Sequence, residues 1–525
     1  MMTLDVIRTD VAIIGGGLGA CAAALAAASL GKRVVLTEAT LWHGGQLTNQ
    51  AVPPDEHPWI EQMGATASYR RLREEIRAYY RSHLPLTRAA REDAQLNPGN
   101  GWVSRLCHDP RVAVAALNQM LAPHALGGRL FVLRMHEPIS AWTEGDRVVG
   151  VVVRGLQSGR EVLIEAPYFI DATPEGELLA LAGVEHVIGA ESRAETGEPH
   201  APEHADPHDQ QAITVCFAME HRAGEHHVIE RPRQYDVWRA LRPEGWPGSQ
   251  LSLTTVRPET HEVLERGLFE SDDGKPWWTF RRILDHTRFE PGFAASDVTV
   301  VNWPQNDYWV GPICGVDAAE RARNLEAARE LSLSWLYWLQ TEAPRPDGGV
   351  GYPGLRLRGD VVGGTADGLA PAPYIRESRR IRAELTVVEH HIAHPLRPDG
   401  PERFADSVGI GCYRIDLHPS TSGRGYLDLG CWPFQIPLGA LIPIRVENLL
   451  PGGKNLGVSH IANGAYRVHP VEWSVGEAAG TLAAFCLERG VSPRAVRNTP
   501  ARLDELQSLL VRRGVELAWP TLAPL

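Results

Sequence analysis

Short runs of consecutive apolar residues, each ending in glycine or a polar turn, open the chain. Residues 10–14 form the first run, residues 32–38 the second, and residues 162–171 a later one. Runs without alternation are typical of strands buried on both faces of a parallel sheet. Between the first two runs, the alanine-rich residues 20–30 predict a helix packed closely on that sheet. The pattern therefore predicts a β-α-β unit at the start of the chain.

Other segments follow the periodicity of helices, strands or loops. Residues 128–153 predict strands with a turn at residues 144–147. Polar residues 188–211 predict an exposed loop, and the Gly- and Pro-rich residues 344–373 predict another. Helical periodicity predicts helices over residues 67–82, 109–121, 317–339, 374–391 and 471–489.

Composition narrows the function classes. The 525 residues suffice for two or three domains, or for one large domain with insertions. The formal charge of −12 argues against a general affinity for nucleic acid or for an anionic membrane surface. The seven cysteines include no C-x-x-C pair, which favours reduced thiols in a cytoplasmic protein over a disulfide framework or a zinc ribbon. No early apolar run reaches the ~20 residues that span a bilayer. We therefore expect a cytoplasmic protein without a membrane or nucleic-acid partner.

The glycine-rich turn after the first strand carries the most specific motif. Gly15-Gly16-Gly17-Leu18-Gly19-Ala20 matches G-x-G-x-x-[G/A] and opens the predicted helix. Its glycines permit the tight turn and the close approach of a pyrophosphate, and the helix N-terminus offers free N–H groups and a partial positive charge. Glu38 ends the next strand 23 positions after Gly15 (38 − 15), near the spacing expected for the acid that accepts ribose hydroxyls. The turn therefore predicts a dinucleotide site.

Further motifs lie along almost the whole chain, and together they carry a resemblance to a known family. They are Gly44-Gly45-Gln46-Leu47-Thr48, residues 169–173 with Gly176, residues 376–380, residues 413–418, and Ser459-His460 running on to Arg467. With them, the chain resembles the FAD-dependent oxidoreductases of the glutathione-reductase-like dinucleotide-binding group, distantly related to fumarate reductase flavoproteins.

This resemblance implies an α/β fold with a Rossmann-like FAD-binding domain and an inserted α+β substrate domain. The FAD-binding domain would be discontinuous, formed by residues 1–185 and 440–490, with a parallel sheet. The substrate-binding domain would comprise residues 190–440, and residues 491–525 would add a helical cap. Some related flavoproteins attach FAD through a histidine that precedes a similar glycine pair. In this chain His43 directly precedes Gly44, and that spacing differs from the one in those relatives. Non-covalent FAD is therefore expected.

The resemblance also implies roles for matching positions. The turn would hold the pyrophosphate, Glu38 and its neighbour the adenosine ribose, and the C-terminal segments the ribityl chain and the flavin ring. One departure lies at Pro174, where relatives carry glycine, and it puts the details of that turn in doubt because proline fixes φ and lacks an N–H. The expected cofactor-binding residues are Gly15, Gly17, Gly19, Ala20, Glu38, Ala39, Gly44, Gly45, Gln46, Asp171, Ala172, Gly453, Asn455 and Asn463.

Flavin oxidation of a C–H bond next to O or N usually requires a base for the accompanying proton, and histidine is the commonest one. His418, His460 and His469 are the histidines in segments expected to reach the flavin. His418 follows Asp416 at i+2, so on a strand both would share a face. The alternative for each histidine is a hydrogen-bonded structural residue.

Other candidate side chains are basic or aromatic. Arg376 and Arg467 are candidates to face the substrate or flavin, with a structural ion-pair network as the alternative. Tyr413 is a candidate hydrogen-bond donor, or a core aromatic residue. The segment with Trp303, Tyr308 and Trp309 offers an aromatic wall for a ring or sugar, or a packed loop.

The metal interpretation is the weaker one for the clustered histidines. His200, His204 and His208 recur every four residues, but Pro202 and Pro207 interrupt any helix there. We therefore predict no metal site.

The predicted function is hydride transfer from a small polar substrate, an alcohol, an amine or a sugar-like compound, to N5 of FAD. One alternative is reduction of an activated C=C bond, with an arginine supplying the proton and clamping a carboxylate. Another is a non-catalytic FAD-binding protein. The electron acceptor and the oligomeric state stay open.

Overall fold

The computed structural model describes residues 4–525. The α-helices in chain order are α1 (Leu18–Ser29), α2 (Ala67–His83), α3 (Arg88–Glu92), α4 (Pro110–Leu126), α5 (Glu177–Leu181), α6 (Arg193–Thr196), α7 (Tyr235–Ala240), α8 (Trp277–Phe280), α9 (Ala318–Thr341), α10 (Glu389–Ile392), α11 (His460–Tyr466), α12 (His469–Arg489), α13 (Pro493–Arg497) and α14 (Pro500–Arg512).

The chain also contains 24 β-strands within residues 4–525. They are β1 (Asp5–Arg8), β2 (Val11–Ile14), β3 (Val34–Glu38), β4 (Leu130–Arg134), β5 (His136–Glu144), β6 (Arg147–Gly155), β7 (Glu161–Glu165), β8 (Tyr168–Asp171), β9 (His186–Val187), β10 (Ile213–Thr214), β11 (Phe217–His221), β12 (Thr254–Val256), β13 (Val263–Glu265), β14 (Arg282–Leu284), β15 (Val298–Val301), β16 (Asp307–Tyr308), β17 (Leu355–Leu357), β18 (Tyr374–Ile375), β19 (Arg380–Ile381), β20 (Ser407–Gly411), β21 (Ile415–Leu417), β22 (Leu427–Leu429), β23 (Phe434–Pro437) and β24 (Leu449–Pro451).

The apolar runs at the start of the chain form the centre of a five-stranded parallel sheet. Its strand order is β24-β8-β2-β3-β4. Val11 pairs with Val34 of β3 on one side and with Tyr168 of β8 on the other, and Leu450 of β24 pairs with Ile170. A strand from residue 449 thus joins a sheet begun at residue 11. The sheet confirms the predicted α/β, Rossmann-like fold that is discontinuous in sequence.

Both faces of the parallel sheet are covered, as its uninterrupted apolar strands require. On one face, α1 packs directly against α12: a Cβ added to Gly476 would lie 2.0 Å from the carbonyl oxygen of Gly19, and one at Gly480 would lie 2.4 Å from that of Ala23. On the other face, Phe169 shares a buried cluster with Val151 of a second sheet, whose order is β1-β7-β6-β5.

The middle of the chain builds its own core. Two small sheets, β14-β15-β11-β17 and β16-β10-β18, have antiparallel strand pairs, and α9 packs beside them. Trp303, Trp335 and Trp338 lie in one buried cluster there. This part is the inserted α+β region that the fold class predicted. The exact domain boundaries given above, including the cap at residues 491–525, remain predictions.

Within residues 4–525, no helix combines the length and apolar character that crossing a bilayer requires.

Two predicted elements were wrong. Residues 374–391 are not a helix: they contain only the short strands β18 and β19 and the single turn α10. A helix would place Arg376 and Arg380 on one face, four residues apart. Instead, Arg376 bonds Asp307, whereas Arg380 bonds Glu191. These separate buried ion pairs override the helical periodicity. The run at residues 162–171 is likewise two strands, because Pro167 interrupts it.

Part of the segment at residues 188–211 is buried, although its polarity predicted an exposed loop. Glu198 is almost inaccessible to solvent. Its carboxylate accepts hydrogen bonds from Ser459 Oγ at 2.5 Å and from the backbone N–H of Glu389 at 2.6 Å. The loop is therefore tied to the start of α11.

Candidate active site

The glycine-rich turn after β2 makes contacts that only glycine permits. Gly15 has φ +91°, and an added Cβ would lie 2.4 Å from the backbone nitrogen of Thr173. A Cβ on Gly45 would approach the Cα of Gly17 to 2.9 Å, and the N–H of Gly44 donates to the carbonyl of Gly16 at 2.7 Å. The two glycine segments therefore lie side by side, where the backbone can approach a ligand closely.

Glu38 stands at the end of β3, beside this turn. It is buried, and its carboxylate accepts hydrogen bonds from the backbone N–H of Thr40 at 2.7 Å and from Asn49 Nδ2 at 3.2 Å. Burial raises the pKa of Glu38 to about 6, although the bonds from Thr40 and Asn49 oppose the rise. The neighbouring Ala39 is exposed. This arrangement offers a carboxylate near the expected ribose position.

Asp171 ends β8 and Asn455 follows the neighbouring strand β24, at the same edge of the sheet. The Asp171 carboxylate accepts bonds from Thr173 N at 2.9 Å and Leu179 N at 3.1 Å, so it holds its own turn. Asn455 Nδ2 donates to the carbonyl of Asp171 at 2.9 Å. Burial raises the pKa of Asp171 to about 6. Both side chains therefore hold the backbone at this edge of the sheet.

Gly19 and Ala20, also expected at the cofactor, lie inside the packing of α1. A Cβ on Gly19 would lie 1.9 Å from the carbonyl of Gly452, and Ala20 is fully buried. By contrast, a small cleft at the sheet edge, the candidate cofactor cleft, is lined by several of the expected residues. Its lining comprises Gly17, Gly45, Gln46, Gln50, Ala172, Thr173, Pro174, Gly453, Lys454 and Glu472.

Buried polar atoms without partners lie in the same segments. Among the residues that the structure describes, the Oε1 atoms of Gln46 and Gln50, Oδ1 of Asn463 and Nε of Arg467 have no hydrogen-bond partner. Leaving such an atom unpaired costs about 1–3 kcal/mol. A ligand with many hydroxyl and carbonyl groups would satisfy them. These residues, with the glycine turns and Glu38, therefore fit the adenosine, pyrophosphate and ribityl parts of FAD.

His43, beside Gly44, is buried with both ring nitrogens unpartnered within residues 4–525. Burial lowers its pKa to about 4, and the charge of Arg134 lowers it further. The imidazole is therefore neutral at pH 7.

A cavity of about 320 Å³ lies between the inserted region and the segment that follows β20. That volume is within the usual range for small-molecule sites. Its lining combines charged groups with aromatic rings from segments far apart in the chain. The lining includes Asp55, Trp102, Trp277, Phe280, Arg281, Tyr413, Asp416, His418 and Tyr426.

His418 is held from one side only. Its Nδ1 lies 2.6 Å from the carboxylate of Asp307, while its Nε2 lies 3.7 Å from the carboxylate of Asp416, beyond hydrogen-bond distance. Burial alone would raise the pKa of Asp307, but Arg376 and His418 beside it hold it below its usual value. An ionised Asp307 only accepts, so His418 Nδ1 donates to it, and Nε2 is the ring nitrogen without a hydrogen bond.

Arg467 joins the candidate cofactor cleft to this cavity. Its carbonyl accepts a hydrogen bond from Gln46 Nε2 at 3.0 Å, and its guanidinium donates to the Asp416 carboxylate at 2.9 Å. It also donates to the hydroxyl of Tyr374 at 3.2 Å. Arg467 thus touches the glycine segment with its backbone and the cavity wall with its side chain.

Arg376 lies behind the cavity and not on its lining. It is fully buried, and it donates to Asp307 at 3.0 Å, Thr214 Oγ1 at 2.9 Å, Asn302 Oδ1 at 3.2 Å and the carbonyl of Ala212 at 2.8 Å. Its terminal nitrogens are therefore committed to the protein. The structure places it as the counter-charge of Asp307.

His460 is held on both sides, unlike His418. It begins α11 in the interior, its Nδ1 lies 2.8 Å from Glu377, and Arg424 donates to its Nε2. Burial opposes ionisation of Glu377, but His460 and Arg380 beside it lower its pKa to about 2. Since both ring nitrogens are bonded, His460 has no lone pair to offer a substrate.

His469 is similarly committed, because the N–H of Asp55 donates to its Nδ1 at 3.1 Å. Burial lowers its pKa to about 4.

The aromatic residues at 302–309 are packed, as one of the two interpretations of this segment expected, and they do not line the cavity. Trp303 stacks on Trp277 with ring centroids 5.3 Å apart and meets Trp335 edge-on at 6.3 Å. The rings that line the cavity are others, notably Tyr413 and Tyr426. Burial raises the pKa of both phenols well above the usual value, so they remain hydrogen-bond donors.

Sequence reasoning missed Asp307, Asp55 and Arg281. Asp307 belongs to the aromatic segment at residues 302–309. Nothing in the sequence indicates that it hydrogen-bonds to His418. Arg281 donates to Asp55 at 3.1 Å, across 226 positions of chain. Such pairs are set by the fold and carry no local signal.

Asp285, His286 and Asp297 form the one group whose ligand atoms lie near enough to hold a metal within residues 4–525. Arg282 already pairs with both carboxylates, at 3.2 Å and 2.7 Å. The group is therefore an ion-pair network as it stands.

Comparison with solved structures gives distant similarities. A geranylgeranyl bacteriochlorophyll reductase-like protein from Thermoplasma acidophilum is 11% identical, with 97% of this chain and 85% of that one covered and a TM-score of 0.33. E. coli quinol fumarate reductase FrdA is 12% identical over 97% of this chain and 74% of that one, with a TM-score of 0.33. For an L-proline dehydrogenase from P. horikoshii, the values are 14% identity, 36% and 25% coverage, and 0.19.

The match to L-proline dehydrogenase thus spans a quarter of that protein's length. No curated protein matches the sequence. The family model described as FAD dependent oxidoreductase, however, matches residues 10–510. This match covers nearly all of the chain, including the glycine turns, the inserted region and α12. The chain therefore belongs to the FAD dependent oxidoreductase family and is a flavoenzyme with FAD as its cofactor.

Proposed function

We propose that this enzyme oxidises a small polar substrate, an alcohol, an amine or a sugar-like compound, in the cavity beside His418. FAD, when bound, supplies a hydride acceptor at its N5 atom. The chain supplies the base, its orientation and the walls of the site. The proposed holders of FAD are the glycine turns, Glu38 and the segments that follow β8 and β24.

One observation carries the proposal: His418 is bonded at Nδ1 and free at Nε2, and it lines a cavity of substrate size. This geometry suits a general base, which needs an unprotonated nitrogen within hydrogen-bond distance of the proton that it removes. His460, the other leading candidate, lacks such a nitrogen. The geometry therefore favours His418 among the predicted histidines.

The residues around His418 give it a defined task. Asp307 fixes the tautomer with the proton on Nδ1, and Arg376 keeps Asp307 ionised and in place. His418 Nε2 then takes the proton of the substrate hydroxyl or amine. The positive charge that His418 gains lies between the carboxylates of Asp307 and Asp416, at 2.6 Å and 3.7 Å. Such nearby opposite charges stabilise the protonated ring.

The contacts of Arg467 favour removal of the proton and the hydride at neighbouring positions of one site. Its carbonyl bonds Gln46 in the cofactor cleft, while its guanidinium bonds Asp416 beside His418. Arg467 thus connects Gln46 of the proposed cofactor cleft to Asp416, whose carboxylate lies 3.7 Å from Nε2 of the proposed base. Tyr413 and Tyr426, as permanent phenol donors on the cavity lining, would bind substrate oxygen atoms.

Reduction of an activated C=C bond is less well supported. It would require an arginine free to clamp a carboxylate and donate a proton. The terminal nitrogens of Arg376 donate to Asp307 and neighbouring polar groups. Those of Arg467 donate to Asp416 and Tyr374. Neither guanidinium has a free terminal pair for a substrate.

Anaerobic screening tests the proposal. Purified, FAD-loaded enzyme is mixed with alcohols, amines and sugars in the absence of oxygen, and the visible flavin absorption is followed. We expect members of the panel to bleach the flavin. If no compound bleaches it, and unsaturated acids instead reoxidise the chemically reduced enzyme where oxygen does not, the reaction runs in the opposite direction and the proposal is wrong.

A further inference from the structure

Glu472, on α12, places a carboxylate in the cofactor cleft. The side chain is buried, and its Oε1 accepts a hydrogen bond from the backbone N–H of Gly19 at 3.3 Å. Its Oε2 accepts one from Gln46 Nε2. Both donors belong to segments that the family resemblance assigns to FAD. An anionic side chain thus lies where a bound cofactor is expected.

The carboxylate acts as the missing cap of α1. Gly17 at the N-cap offers no side chain, and the first turn of α1 contains no acidic residue. The first N–H groups of a helix carry a partial positive charge and attract anions. Glu472 reaches this turn from 453 positions away in the chain. Its negative charge therefore interacts with the partial positive charge of the helix N-terminus, as a pyrophosphate would.

Space at the turn admits only one of the two anions. A Cβ on Gly17 would lie 3.1 Å from Glu472 Oε1, and a Cβ on Gly453 would lie 3.2 Å from Glu472 Cγ. The remaining free volume of the cleft is about 10 Å³, about the volume that one water requires. A diphosphate does not fit beside the carboxylate. The Glu472 side chain must therefore leave before the phosphates reach the glycine turn.

We propose that Glu472 is an internal competitor for the pyrophosphate of FAD and sets the affinity of the chain for its cofactor. The carboxylate caps α1 in the FAD-free chain, and the diphosphate replaces it on loading. This inference rests on the proposed cofactor site at the glycine turn.

Lys454 fits the exchange. It is buried on the lining of the same cleft, and burial lowers its pKa, against the charge of Glu472, which raises it. In the FAD-free chain, Glu472 is the neighbouring negative charge. Once the carboxylate leaves, the diphosphate provides the counter-charge that a buried ammonium requires.

The test measures FAD affinity and requires no substrate. FAD is titrated into FAD-free wild type, Glu472→Gln and Glu472→Ala, and binding is followed by quenching of flavin fluorescence. Gln keeps the shape but removes the charge, so the competing bonds weaken and the repulsion of the phosphates disappears. We expect both variants to bind FAD at least about fivefold more tightly. Thermal unfolding of FAD-free Glu472→Gln should begin at a lower temperature, because α1 loses its anionic cap.

Glu477→Gln is the matched control. Glu477 is also buried on α12, but its carboxylate bonds Ser68 outside the cleft. Its FAD affinity should match that of wild type. Unchanged or weaker FAD binding by both Glu472 variants would overturn the competitor role.

Gly17→Val separates this failure from an error in the cofactor site. A branched side chain at Gly17 occupies the approach of the pyrophosphate, so this variant should not bind FAD. If Gly17→Val binds FAD like wild type, the glycine turn is not the cofactor site and the inference falls with it. If Gly17→Val fails to bind while the Glu472 variants bind no better than wild type, only the role of Glu472 is overturned.

Discussion

At the scale of single residues, the two candidate histidines differ in what their second nitrogen touches. His418 bonds Asp307 through Nδ1 and leaves Nε2 free, whereas His460 is bonded by Glu377 and Arg424 together. The sequence placed both near the flavin but contained no signal to separate them. Their hydrogen-bond partners come from other segments, so only the folded chain distinguishes a base from a fixed residue.

Glu38 gives a residue-scale prediction about pH. Burial raises its pKa to about 6, and its carboxylate form is the better acceptor for ribose hydroxyls. The carboxylate predominates above that pKa and is lost as the pH falls through it. The dissociation constant of FAD should therefore rise up to about tenfold between pH 7 and pH 5. Titration of FAD-free enzyme by flavin fluorescence at the two pH values measures this change.

Glu38→Gln is the control for this titration. The neutral amide should bind FAD more weakly at pH 7 and show little dependence on pH. If the variant keeps the pH dependence of wild type, another group, such as Asp171 with its pKa of about 6, is responsible.

At the scale of elements, the cofactor cleft depends on the close packing of α1 against α12. The small residues at Gly19, Gly476 and Gly480 bring the two helix backbones together. The sequence predicted both helices, and their ends agree with the structure within about three residues. It did not predict that a carboxylate of one caps the other, because the two helices are hundreds of positions apart.

Gly476→Ala tests that packing. The added Cβ would lie 2.0 Å from the carbonyl of Gly19, so the helices must separate. Overpacking of this kind destabilises a protein by about 1–3 kcal/mol. We expect a lower midpoint of thermal unfolding, measured by circular dichroism, together with weaker FAD binding.

Gly425→Ala serves as the comparison, because its added Cβ would have only the carbonyl of Gly245 nearby, at 3.9 Å. Its unfolding midpoint should stay near that of wild type. Equal midpoints for Gly476→Ala and wild type would contradict the packing described here.

The helix predicted over residues 374–391 failed for a reason at the same scale. Its charged residues follow helical spacing, but Arg376 and Arg380 serve two different buried carboxylates, Asp307 and Glu191. Burial of paired charges is a tertiary effect that local periodicity does not report. The apolar runs at β2 and β3 succeeded because a strand buried on both faces requires apolar residues at every position.

At the scale of the whole molecule, the site is assembled from segments that are remote in sequence. The glycine turn lies at residues 15–20, the cavity walls come from residues 55, 281 and 413–426, and Arg467 joins the two. Family membership, FAD and the discontinuous α/β fold were predictable, since their motifs are local strings. The pairing of Asp307 with His418 was not predictable, because the fold brings these two distant segments together.

We propose His418 as the base for oxidation at a flavin held by the glycine turns and the segments that follow β8 and β24. The most direct measurement is the anaerobic rate of flavin bleaching in His418→Ala and His460→Ala, each fully loaded with FAD, using a substrate identified by the panel. We expect His418→Ala to keep its FAD but bleach about 10²- to 10⁴-fold more slowly than wild type. His460→Ala should bleach at nearly the wild-type rate wherever it folds and binds FAD. Bleaching of FAD-loaded His418→Ala at the wild-type rate would contradict the account.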